Sequence, residues 1–199
     1  MTLLAYLDSA LLLALLMTTL SKQIKVFCNL QVVAVVVGVL LPLVMINDLP
    51  MYQYLRAVSG ELSITTKLVL VLVLYQRATQ KQLNNFKDWQ WMLTGIAVTG
   101  VLFYPLALGI TMFDPYAYGY SAGLMAVLVV VLAIVCFWQR YWLSALALSL
   151  SLAAYVSGIM ESDNLWDYLF DPLLWMYALF VSCVTLWKKY LPAITRTGN

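Results

Sequence analysis

The sequence predicts an all-α fold: a polytopic helical membrane bundle of about seven transmembrane helices, with the N-terminus outside and the C-terminus in the cytoplasm. Three observations predict it. Only 10% of the 199 residues are charged and 64% are hydrophobic, with a mean hydropathy of +0.89, whereas soluble domains carry roughly 25% charged and 45–50% apolar residues. The apolar residues come in blocks long enough, at about 1.5 Å rise per residue, to cross roughly 30 Å of hydrocarbon. They do not alternate with polar residues over about ten positions, as barrel strands do. Finally, acids and bases segregate onto alternate loops.

The expected spans, within one integral membrane domain, are residues 3–20, 26–46, 60–79, 91–112, 121–138, 142–160 and 172–187. The first has no basic segment before it, carries Asp8 early and lacks a small-residue cleavage pattern, so it reads as a retained anchor and not a signal peptide. Pro42 and Pro105 can kink the second and fourth spans. The third rests on a short apolar core, residues 68–75, and must take in Thr65, Thr66 and Lys67 to be long enough. At the start of the fifth, Gly119 and Gly123 have the GxxxG spacing that lets helices approach closely, within the bundle or across a dimer. Between spans two and three, Pro50 can start and Gly60 can end a short amphipathic helix carrying Arg56.

With seven spans, one set of loops holds Lys22, Lys25, Arg77, Lys81, Lys87, Arg140, Lys188, Lys189 and Arg196, with Asp88 as its only acid. The positive-inside rule puts this set in the cytoplasm. The other set holds Asp48, Glu61, Asp114, Glu161, Asp163, Asp167 and Asp171, with Arg56 as its only base. Trp89, Trp91, Trp138, Trp142 and Trp187 form an inner aromatic belt, and Tyr52, Tyr54, Tyr116, Tyr118, Tyr120, Trp166 and Tyr168 an outer one. Cys28, Cys136 and Cys183 lie toward the cytoplasmic side, where no disulfide is expected.

Four of the nine acids fall in one outer stretch, ESDNLWDYLFDP, residues 161–172. Asp171, like Asp114, precedes a proline in an FDP triplet. Each reads as a helix cap, a role whose loss costs on the order of 1 kcal/mol. Ser162 or Asp163 can cap a short interfacial helix over residues 164–170, with Leu165, Trp166 and Leu169 toward lipid. That helix would set Asp163, Asp167 and Asp171 at i, i+4 and i+8 on one face, where like charges repel. Arg56, a metal ion or a partner protein would relieve the repulsion. Two charges fall inside the spans, Asp8 and Lys67, each about 7–8 Å below the outer boundary. Matched depth and opposite sign predict an intramembrane ion pair. Arg56, Glu61, Lys67, Asp163 and Asp167 together make the outer-face binding candidate.

The chain has no histidine, which excludes bis-histidine haem, histidine-ligated copper or zinc and Ser-His-Asp catalysis. No lysine sits mid-span in the last helix to hold retinal, and no P-loop, G-x-G-x-x-G or H-E-x-x-H string occurs. No cofactor, metal site or nucleic-acid partner is expected. The expected partners are the lipid bilayer and a membrane protein or a second copy of the chain, with a lipid phosphate as a candidate ligand outside. The function this favours is a non-catalytic subunit or assembly factor of an envelope system in a bacterial-type inner membrane. An outer-leaflet enzyme acting on a lipid-linked phosphate and a small transporter using Asp8 and Lys67 are the alternatives.

Overall fold

A computed structural model describes residues 2–23, 29–81, 86–121 and 123–196; Lys25, Cys28 and the expected start of the second span lie outside them. Within them the chain is mostly helical: α1 (Thr2–Gln23), α2 (Asn29–Leu40), α3 (Met51–Ser59), α4 (Ile64–Thr79), α5 (Phe86–Ala107), α6 (Gly123–Trp138), α7 (Trp142–Val156), α8 (Leu165–Leu169) and α9 (Pro172–Arg196). Among the described residues two stretches, Leu3–Ser21 and Lys87–Ala107, are long and apolar enough to cross a membrane; Gln31–Leu43, Gly123–Trp138 and Trp142–Val156 are apolar but shorter.

The helices stop earlier than apolar runs alone suggest, and each stop has a local cause. Beyond α2, Pro42 has no N–H to donate, and the chain tightens into a 3-10 turn over Leu41–Leu43. The second apolar helix therefore does not reach Ile46. Met45–Ile46 (β1) and Leu49–Pro50 (β2) instead pair antiparallel across Asn47 and Asp48, both at positive φ as a two-residue hairpin turn requires. Helix α5 ends at Ala107 and not at Met112, because Gly109 adopts φ 83° and Ile110 N–H donates back to Pro105 O. Gly158, at φ 59°, ends α7 the same way, with Ile159 N–H on Ala154 O. Both are Schellman stops, open to glycine because a left-handed residue there has no Cβ to clash.

Helix α1 packs chiefly on α2, α5 on α9 and α6 on α7, while α4 meets α1 and α7 and so joins the two halves. Close approaches fall at Gly38, whose missing Cβ lets α2 sit on Ala14 of α1, and at Gly100, which receives the Trp175 indole of α9. Within the single chain the expected Gly119/Gly123 helix contact does not form. Gly119 lies in a 3-10 turn against Asn164, and Gly123 faces open space. The core runs through Leu93, Ala97, Phe103, Leu165, Phe170, Leu174 and Ala178. Helix α6 is the opposite case, with Val127, Leu128, Val131, Leu132, Ile134, Val135 and Phe137 all exposed. A continuous apolar face of this kind is rare on a soluble monomer.

Candidate functional site

The site builds outward from the start of α4. Ser63 caps that helix, its Oγ accepting the Thr66 N–H at 3.1 Å, so the helix begins at Ile64 and not at Gly60. The backbone just before it is extended, and two carboxylates from distant parts of the chain grip its successive N–H groups. Leu62 N–H donates to Asp8 Oδ2 at 3.1 Å, and Ser63 N–H donates to Asp171 Oδ2 at 2.9 Å. Thr66 Oγ1 donates to the same Asp171 oxygen at 2.6 Å. Asp171 Oδ1 accepts Leu174 N–H at 2.8 Å in the first turn of α9. One side chain thus caps its own helix and fastens α4 to it.

Lys67 Nζ stands 3.2 Å from Asp8 Oδ1, while its aligned hydrogen bond goes to Leu62 O at 2.5 Å. Asp8 Oδ1 has the ion pair but no aligned donor. Asp8 is 2% exposed, so the lysine supplies the charge compensation that burial demands. Thr65 Oγ1 lies 3.3 Å from Ser151 Oγ, which donates to Tyr168 O, and this ties α7 into the same layer.

Arg56 pairs with a different acid of the same stretch from the expected Asp163 and Asp167. Its guanidinium pairs with Glu161 at 2.5 Å, a contact 24% and 42% exposed on its two sides and therefore worth little by itself. Glu61 Oε2 accepts the Glu161 N–H at 3.0 Å. Asp163 is exposed. The expected acidic face does not form, because α8 spans only Leu165–Leu169 and leaves both Asp163 and Asp171 outside it. Asn164 caps α8, in place of Ser162 or Asp163, by accepting Trp166 N–H at 3.0 Å. Leu165 and Leu169 point into the core and not toward lipid, and Tyr168 is likewise buried, its hydroxyl accepting Met160 N–H, so it does not belong to the outer belt. Asp114 does not cap α6, which begins at Gly123; its Oδ1 accepts Tyr116 N–H at 2.9 Å within its loop.

Asp167 gains hydroxyl donors in place of a cation. Tyr116 Oη donates to Oδ2 at 2.9 Å and Ser162 Oγ to the same oxygen at 2.5 Å. Burial, reinforced by this carboxylate, pushes the Tyr116 phenol above its usual value, so it stays a donor through neutral pH. Trp166 Nε1 donates to Pro115 O and Asn164 Nδ2 to Tyr116 O, each at 2.9 Å, which fixes the loop against α8. Between these groups lies a cavity of about 420 Å³. Its walls are aromatic, from Phe103, Tyr104, Tyr116, Trp166 and Phe170, and it takes carboxylates from Glu61, Asp167 and Asp171. No lysine or arginine among the described residues lines it. Among the described residues, no three His, Cys, Asp or Glu side chains gather as a metal site.

Two polar joints at the other end were missed by sequence reasoning. Asp88, in the first turn of α5, accepts Leu143 N–H at 2.6 Å and Ser144 Oγ–H at 3.2 Å, capping α7 from another helix. The available signal was the start of α7 itself, QRYW, which offers no Ser, Thr, Asp or Asn of its own. Arg77 reaches α1, donating to Leu15 O, Thr18 Oγ1 and Thr19 Oγ1.

The fold and site thus define a helical bundle whose acidic end is interlocked by buried carboxylates around an acid-and-aromatic cavity. No protein-family model, curated protein or solved structure matches the chain.

Proposed function

We propose that the chain is a multi-pass protein of a bacterial-type inner membrane, crossing seven times with the N-terminus outside, and that it serves an envelope system as a non-catalytic subunit or assembly factor. The acid-and-aromatic face is its contact surface for a partner or lipid. The observation that carries the non-catalytic reading is the commitment of its charged groups. Asp8, Asp171 and Lys67 are occupied in joining helices, and Arg56 is paired with Glu161. A phosphate-binding enzyme would need bases at the cavity, whose described lining residues include none. A carrier would need the Asp8–Lys67 pair to open, and that pair is locked to the backbone of Leu62.

The short helices are compatible with seven crossings. Helix α4 has 16 residues, about 24 Å, less than the roughly 30 Å of a hydrocarbon core. Its approach is non-helical backbone, tolerated at membrane depth only where protein satisfies it, and Asp8 and Asp171 do so. Reporter fusions test the topology: one after Lys189 should read cytoplasm and one at Asp163 should read outside, and the same side for both defeats it. Purification in mild detergent with mass spectrometry tests the role. A stoichiometric protein partner is expected, and an isolated chain that sustains turnover of a lipid-linked substrate would overturn the non-catalytic reading.

A further inference from the structure

We infer that the 420 Å³ cavity binds a small organic ammonium group, alkylated or primary, held by the Glu61 carboxylate and the faces of the surrounding aromatic rings. The inference rests on the contact-face reading above and names what that face recognises. Three features converge. The cavity concentrates negative charge and has no base among its described lining residues, so it favours a cation. Its walls are aromatic, and ring faces attract alkylammonium ions, which shed water more readily than metal ions do. Glu61 lines the cavity with Oε1 buried and without a hydrogen-bond donor, while Oε2 is already held by Glu161 N–H. A buried, unpartnered carboxylate oxygen is costly unless something supplies a donor or a positive charge. Asp167 and Asp171 add charge from behind their structural hydrogen bonds without needing to release them.

The geometry also argues against an anion or a bare divalent metal. A phosphate would face three carboxylates with no compensating base among the described lining residues, and the carboxylates are not grouped for metal coordination. The ammonium can belong to an aminophospholipid headgroup or to a soluble amine, since the recognising chemistry is the same.

The full chain purified in detergent tests this by isothermal titration with tetramethylammonium chloride, against sodium chloride at matched ionic strength. Saturable binding of tetramethylammonium alone is expected, with a matching rise in melting temperature. Glu61→Gln keeps an acceptor for Glu161 N–H and should weaken that binding about tenfold, the loss of one desolvated charge contact. Trp166→Leu should weaken it by removing a ring. Equal binding of sodium, or no saturable binding, overturns the inference from the unsubstituted chain alone, whatever the variants do. Unchanged affinity in a Glu61→Gln chain of normal stability overturns it as well.

Native mass spectrometry from vesicles of phosphatidylethanolamine and phosphatidylglycerol separates the two sources. Retained phosphatidylethanolamine that tetramethylammonium displaces identifies a lipid headgroup. Tetramethylammonium binding without such retention identifies a soluble amine. Because partner recovery is read separately, its failure and the failure of this inference are told apart.

Discussion

Asp171 and Asp88 are nearly equally buried, at 8% and 5% exposure, and both accept a backbone N–H from the first turn of a helix, yet they hold very different amounts of structure. Asp88 reaches across to α7 and stops there. Asp171 serves its own helix and also takes the Ser63 N–H and the Thr66 hydroxyl, while Asp8 takes the neighbouring Leu62 N–H. The difference follows from how many donors each helix start leaves unpaired. Helix α7 needs only an end cap. Helix α4 arrives from extended backbone in which Leu62 and Ser63 are fully buried, so the demand for protein acceptors grows.

Breaking the joints one at a time should rank the two ends. Asp171→Ala strands the Ser63 and Leu174 N–H groups and takes an acceptor from the Thr66 hydroxyl, and should cost on the order of 4 kcal/mol, read by detergent-based unfolding. That is well above the cost of a lone helix cap. A loss as small as a lone cap would mean that the α4 contacts contribute nothing.

Lys67→Leu comes next, at on the order of 3 kcal/mol, because it leaves Asp8 charged and buried. Adding Asp8→Asn should recover part of the loss, and strictly additive losses in this double-mutant cycle reject the pair. At the other end, Asp88→Ala should cost about 2 kcal/mol, localised to α7, so hydrogen exchange should quicken at Leu143 and Ser144 and leave α4 unchanged. Spread of the effect into α4 would erase the distinction between the ends.

Tyr116→Phe should cost about 1 kcal/mol near neutral pH by removing a donor from Asp167. Its folded-state phenol titrates above the usual tyrosine value of about 10, so the stabilising contact is fully present below that value and is lost as pH rises past it. The gap between Tyr116→Phe and the unsubstituted protein should therefore close in strong alkali; a gap that widens instead would refute the assignment. Arg56→Gln should have the smallest effect, about 0.5 kcal/mol and salt-dependent, because its ion pair with Glu161 is partly solvated.

Composition and periodicity by themselves determined the all-α class and the approximate location of the helices, since apolar blocks and the scarcity of charge depend only on which residues follow one another. They also determined the short helix between Pro50 and Gly60, whose boundaries are set by local backbone chemistry. Asp8 and Lys67 were legible as partners because a buried charge requires an opposite one at the same depth. Partner choice in the loops was not legible. Whether Arg56 meets Glu161 or Asp167, whether Leu165 faces lipid or core, and which helix Asp88 caps depend on the angles at which distant segments cross. Only tertiary packing decided that Asp8 and Asp171 close on consecutive N–H groups of Leu62 and Ser63, because a carboxylate accepts from whatever donor the fold leaves unpaired, at any separation along the chain.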